Sequence, residues 1–115
     1  MSLAKSHDTI TQLTATGQST SLDIRASYRQ SLYVKHYNGS GSVSAAGTAK
    51  IQVKPNGSST WYDLVSVAFG TTTGGTDTSV IPIPDDAGSV RLDYTAPSGA
   101  SGFTLDAEVG LITAY

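Results

Sequence analysis

Cysteine is absent from this chain of 115 residues, so neither a disulfide framework nor a thiolate metal cluster holds it together. Stability must come from packing or oligomerisation, and the absence fits a reducing compartment or a particle assembled in one. Charge is also scarce, at 14% of residues against about 25% in ordinary domains. The seven basic and nine acidic residues are scattered, with Asp85-Asp86 the one adjacent pair, and sum to −2. No basic stripe exists to neutralise a nucleic-acid backbone, so nucleic acid is not an expected partner. No window of 18 apolar residues is present to span a bilayer, and residues 1–8 lack the apolar centre of a secretion signal. A membrane is therefore not an expected partner either, and the chain reads as a complete soluble protein made in a cytoplasm. Helical periodicity is missing too: the best candidate, residues 42–49, is interrupted by Gly47.

What fills the deficit is hydroxyl. Serine and threonine occupy 31 of the 115 positions, which predicts a neutral, hydroxyl-rich surface. The length suits one domain that buries roughly 65% of its unfolded surface. Residues 1–8 read as a polar leader and residues 9–115 as that domain.

Punctuation by turn residues predicts about eight strands. Around Pro55-Asn56-Gly57, Ile51 and Val53 alternate with Gln52 and Lys54, and the return run opens with the only tryptophan, Trp61. This is the pattern of a β-hairpin in which Asn-Gly supplies positive φ angles. Its strands are expected at residues 48–54 and 61–69, with either Leu64 or the set Val65, Val67 and Phe69 facing inward. Others are expected at residues 9–15, 19–24, 31–37, 78–84, 89–95 and 103–113. In residues 31–37, Leu32, Val34 and His36 share one face and Tyr33, Lys35 and Tyr37 the other. Pro82 and Pro84 cannot donate to a ladder, which places residues 78–84 at a sheet edge. The last strand alternates most cleanly, with Phe103, Leu105, Ala107, Val109 and Leu111 against Thr104, Asp106, Glu108 and Gly110. Residues 70–77 contain no apolar side chain and form the most exposed predicted loop. The fold class that follows is all-β, a single two-sheet β-sandwich of about eight strands, either jelly roll or immunoglobulin-like.

The pattern supplies no catalytic constellation. A nucleophilic triad would need His7, in the polar leader, or His36, in mid-strand, and no Gly-x-Ser-x-Gly elbow occurs. The plainer reading of His36 is a core-edge residue bonded to backbone. Asp85-Asp86 reads as a turn former, and Asp106 with Glu108 as a solvated strand face. Neither assembles the six to eight oxygens of a calcium site, so no metal and no cofactor is expected. Asn38-Gly39-Ser40 and Asn56-Gly57-Ser58 match the glycosylation sequon but read first as turns. Tyr28, Tyr33, Tyr37, Trp61, Tyr62, Tyr94 and Tyr115 are candidates to stack on sugar rings, with Trp61 and Tyr62 as the best platform. The alternative is that Trp61 and the tyrosines cap the ends of the core.

The run from Gln52 through Asn56-Gly57-Ser58-Ser59-Thr60-Trp61-Tyr62-Asp63-Leu64 resembles the hairpin of many small structural proteins of tailed-bacteriophage virions. Thr14-Ala15-Thr16-Gly17-Gln18-Ser19-Thr20-Ser21-Leu22-Asp23-Ile24 is similar to the way such chains begin. The resemblance implies a non-enzymatic virion component made in the host bacterial cytoplasm, with a head decoration (cement) protein as the leading expectation. It also implies docking to the major capsid protein or other virion proteins, and a homo-oligomer with a trimer favoured. Thr71, Thr72, Thr73 and Thr76 in the loop, and Lys5 and His7 in the leader, are the expected contact residues. A tail or baseplate accessory and a carbohydrate-binding module are the alternatives.

Overall fold

The computed structural model describes residues 3–24 and 29–114. Within them the chain forms strands β1 (Leu3–Leu13), β2 (Gly17–Gln18), β3 (Leu22–Asp23), β4 (Arg29–Tyr37), β5 (Ser40–Ala45) and β6 (Thr48–Pro55). These are followed by β7 (Tyr62–Ala68), β8 (Thr76–Ile83), β9 (Ala87–Thr95), β10 (Ser98–Ser101) and β11 (Thr104–Ala114). No described residue is helical, and none therefore lies in a helix long and apolar enough to cross a membrane.

Pairing is organised about the turn between β6 and β7. Moving outward from it, β6 pairs with β7, β4 with β8, β2 and β3 with β9, and β1 with β11, all antiparallel. The chain is thus one long hairpin, and it wraps so that β6 also meets β9 and β4 also meets β11. Two sheets result, β1-β11-β4-β8 and β2-β9-β6-β7, with β3 also on β9, and a small β5–β10 ribbon beside them. Apart from that ribbon and the split β2–β3, the chain changes sheet at every step except β6 to β7. This double Greek key is the jelly roll of the two expected sandwich types.

Alternation along each strand builds the core. Leu32 and Val34 of β4, Leu105, Ala107 and Val109 of β11, and Ile81 and Ile83 of β8 come from one sheet; they meet Ala49, Ile51, Val90, Leu92 and Tyr94 from the other. The inward faces expected for β4, β6 and β11 are the observed ones. β8, with Pro82, is an edge strand, as a residue without an N–H requires. On β7 the inward face switches at a bulge opposite Ile51 and Gln52. Leu64, Val67 and Phe69 pack on the core, whereas Val65 on this edge strand is exposed.

Four features differ from the sequence reading. Residues 3–8 are not a separate leader but continue β1 along β11, although none of their side chains is buried. Of the strand expected at residues 19–24 only Leu22–Asp23 forms, after β2 at Gly17–Gln18; between them the Ser19 N–H donates to the Leu92 carbonyl (2.8 Å) and its Oγ accepts from Leu92 N (2.8 Å). The 55–58 turn has positive φ only at Gly57 (82°), not at Asn56. With Ser58 N donating to Pro55 O (3.0 Å) it has the glycine placement of a type II turn, inside a longer loop. Finally, β5 and β10 are strands in segments where no strand was expected.

Candidate functional site

β4 and β11 lie side by side in the middle of their sheet, so their outward residues form the centre of a solvent face. Tyr33 is directly opposite Glu108 on β11 and Val80 on β8. One step along β11 on the same face is Gly110, whose missing side chain leaves a seat for the Tyr33 ring. A Cβ there would lie 3.1 Å from Tyr33 Cε2. Tyr33 and Val80 remain 47% and 60% exposed. Shallow hollows surround this ring. One of about 460 Å³ is bordered by Thr9, Lys35, Thr78, Asp106 and Glu108. A second, of about 430 Å³, is bordered by Lys5, Ser6, Ser31 and Ile112. His7, Glu108 and Gly110 enclose a smaller one of about 300 Å³, and Tyr33 borders all three. Asp106 accepts a hydrogen bond from Gln12 Nε2 (2.8 Å). Among the described residues, Lys35 and Glu108 form no ion pair, so their polar groups are available to an outside ligand.

The opposite sheet presents a different surface. Lys50, Gln52 and Lys54 of β6 and Arg91 of β9 point outward, because Ala49, Ile51, Val90 and Leu92 point in. Trp61 joins them, with the Arg91 guanidinium carbon 4.3 Å and Lys54 Nζ 5.0 Å from its ring centroid. Arg91 Nε donates to Gln52 Oε1 (2.8 Å), and Gln52 Nε2 donates to Asp63 Oδ1 (2.9 Å). Asp63 Oδ2 is 3.6 Å from Lys50 Nζ.

A third cluster is internal. His36 is 0% exposed, stacks on Phe69 (centroids 4.2 Å apart, planes 3° apart) and bonds through its ring nitrogens to Asn38 Oδ1 (2.9 Å) and Tyr94 Oη (2.7 Å). Asn38 Nδ2 donates to Thr72 O (3.0 Å), which turns its carbonyl toward His36. Nδ1 of His36 is therefore the protonated nitrogen, and Nε2 accepts from the Tyr94 hydroxyl. Burial holds the His36 pKa below its usual 6.5 against the opposing pull of the Asn38 bond and the Asp77 charge. Burial also pushes the Tyr94 phenol up to about 12. The expectation of a core-edge histidine bonded to backbone is corrected: His36 is fully buried and its partners are side chains.

The other sequence candidates fall as follows. Lys5 and His7 stand on β1 beside Tyr33, on the same face. Thr71, Thr72 and Thr73 are exposed in the loop before β8, and Thr76 is exposed opposite Tyr37. That loop is tied down: Gly70 N donates to Asp77 Oδ2 (2.8 Å), Gly74 N to Gly39 O (2.8 Å), and Thr73 Oγ1 to Gly41 O. Trp61 and Tyr62 do not form one platform, for Trp61 is half-buried beneath two cations while Tyr62 is 56% exposed and opposite Val53. Nor does Trp61 belong to the core. Tyr28 and Tyr115 lie outside the described residues. Asn38 is 1% exposed and bonded, so its sequon is closed in the folded chain, whereas Asn56 is exposed. No group of three or more His, Asp or Glu among the described residues converges as metal ligands would. Tyr33 was only one of seven aromatic candidates in the sequence; its signal is an outward tyrosine diagonal to a glycine in the outward row of the last strand.

A jelly-roll β-sandwich with open hollows on a sheet face is the class of molecule these features define. No protein-family model matches the chain, and no curated protein is significantly similar to it. Solved structures share its fold. A family 29 carbohydrate-binding module from Piromyces equi superposes with a TM-score of 0.53 at 10% identity, over 99% of this chain and 93% of that one. The K3 cleaved adhesin domain of Lys-gingipain from Porphyromonas gingivalis w83 superposes with a TM-score of 0.51 at 10% identity, over 84% of this chain. The match spans 62% of that adhesin domain's length. At such identities the likeness concerns the fold.

Proposed function

We propose that the chain is a non-catalytic binding module that holds a neutral oligosaccharide across the outer face of the β1-β11-β4-β8 sheet. The observation that carries this reading is the Tyr33 ring, seated over Gly110, half exposed, and bordered by hollows lined with hydroxyl, carboxylate and ammonium groups. A sugar ring offers an apolar face to an aromatic ring and hydroxyls to the polar groups around it. The half-buried Trp61, with two cations over its ring, is a poorer platform.

Affinity electrophoresis through gels containing neutral polysaccharides tests this. Wild-type protein is expected to be retarded by at least one of them, and Tyr33→Ala to lose about tenfold or more in affinity. Gly110→Ala, which places a methyl group against the ring, is expected to weaken binding as well, while Trp61→Ala binds like the parent. Retardation by no polysaccharide, or a Tyr33→Ala variant that binds unchanged, overturns the reading.

The hairpin resemblance supports a second reading, a virion accessory protein that docks on the capsid exterior, or on the tail, as a homo-oligomer with a trimer favoured. The exposed threonines of the tethered 70–77 loop suit contact with a protein surface. Mixing the protein with undecorated heads is expected to give co-sedimentation and a higher shell melting temperature, by binding to the assembled state alone. Alanine at Thr71, Thr72, Thr73 and Thr76 weakens both in this reading. Absence of both effects with the wild-type protein removes the capsid role.

A further inference from the structure

The geometry points to a second binding site on the opposite sheet: Arg91 and Lys54, gathered at Trp61, take one oxyanion, a sulfate, phosphate or carboxylate. The inference stands apart from the Tyr33 face, from which the sandwich core separates it.

Three observations combine. First, both cations stand close to one indole ring, 4.3 and 5.0 Å from its centroid, an arrangement that brings two like charges together. Second, the network on this face directs the Asp63 carboxylate elsewhere. Asp63 takes Lys50 and the Gln52 amide, and Gln52 in turn occupies only Nε of Arg91. Asp93 faces Lys50 across the ladder on the same side. Among the described residues, neither Arg91 nor Lys54 forms an ion pair, and the terminal nitrogens of Arg91 have no acceptor. Third, a polar hollow of about 400 Å³ adjoins Lys54, lined by Ser21, Asp23, Asn56, Ser58 and Ser89. Hydroxyl donors there complement an anion's remaining oxygens.

Two cations left unneutralised favour an anion by Coulomb attraction. A guanidinium already held by an indole and a glutamine loses little freedom on binding one. The cluster is too small for a nucleic-acid backbone, and the net charge of −2 opposes one. The chemistry fits a single acidic group, either a free inorganic anion or a sulfate or carboxylate substituent on a saccharide.

Trp61 is the only tryptophan, so its fluorescence reports this site alone. Wild-type protein is titrated with sodium sulfate, with sodium phosphate, and with sulfated and uronate oligosaccharides, each against sodium chloride at matched ionic strength. A saturable change in indole emission is expected that chloride does not reproduce. Arg91→Gln and Lys54→Gln should each weaken it about tenfold or more, whereas Tyr33→Ala leaves it unchanged. Circular dichroism checks that each variant is folded, and Lys54→Gln stands alone if Arg91→Gln is not. Saturation by the inorganic salts alone identifies a free anion as ligand; saturation by the acidic oligosaccharides at lower concentration than by the salts identifies the saccharide. A response that never saturates, or that both variants share with the parent, overturns the site, and neither result bears on the Tyr33 face.

Discussion

His36 shows how one side chain joins layers that local sequence keeps apart. Its partner Tyr94 is 58 residues away and on the other sheet, and its partner Asn38 holds the carbonyl of Thr72 in the loop before β8. The bond polarity demands a neutral ring, because a protonated Nε2 would turn its N–H toward the Tyr94 hydroxyl and deprive that hydroxyl of its acceptor. The folded pKa lies below the unfolded value near 6.5, so the unfolded chain binds the proton more readily. Stability is therefore expected to be full above about pH 6.5 and to decline as pH falls through the folded pKa; urea denaturation between neutral and mildly acidic pH measures it. Tyr94 acts at the other end: with its phenol raised to about 12, stability is expected to fall as pH rises from about 10 through that value. His36→Leu should remove the acid dependence while leaving the Tyr94 hydroxyl and the Asn38 carbonyl without partners, each costing on the order of 1–3 kcal/mol. An acid limb that persists in His36→Leu would assign it to other groups.

Among the elements, the β5–β10 ribbon shows what pattern reading misses. Its sequences, Ser-Gly-Ser-Val-Ser-Ala and Ser-Gly-Ala-Ser, carry one valine and otherwise only small residues, too little apolar surface to mark a strand, and its strands cohere through backbone pairing. Glycine makes the approach possible. A Cβ on Gly99 would lie 2.2 Å from the Ser42 carbonyl oxygen, and Gly99 holds φ at 83°. Gly99→Ala is expected to part this ribbon and cost on the order of 1–3 kcal/mol. Hydrogen exchange localised to β5 and β10, measured with the melting temperature, checks it. Gly88 acts similarly at the hairpin tip, where a Cβ would lie 2.7 Å from Asn56 Cα. Gly88→Val should therefore displace the 55–58 turn from β9 and also disturb the hollow beside Lys54.

For the molecule as a whole, the wrapped hairpin means that almost every stabilising contact joins residues distant in sequence. Only the β6–β7 pair closes locally; β1 and β11 must wait for the rest of the chain. Such topology predicts refolding in milliseconds to seconds rather than microseconds, which stopped-flow fluorescence of Trp61 would follow. The core it encloses is continuous, so Leu105→Asp, which buries an unpaired charge at its centre, should abolish soluble folding. A variant that melts like the parent would contradict the inward placement of β11.

Much of this was determined by residue order alone. A period of two assigns inward and outward residues within each strand, proline excludes a ladder position and marks β8 as an edge, and glycine after asparagine marks the turn at the tip of the β6–β7 hairpin. Those are local properties of a pleated backbone, so they survive without knowledge of neighbours. Which strands meet is another matter, since ladder hydrogen bonds join backbone groups that are alike at every residue. Wrapping set the register that places Gly110 beside Tyr33, Arg91 beside Trp61 and Tyr94 against His36, and it drew residues 3–8 into β1 although they bury no side chain. The candidate sites are products of that register: each is assembled from residues on different strands whose relation depends on folding.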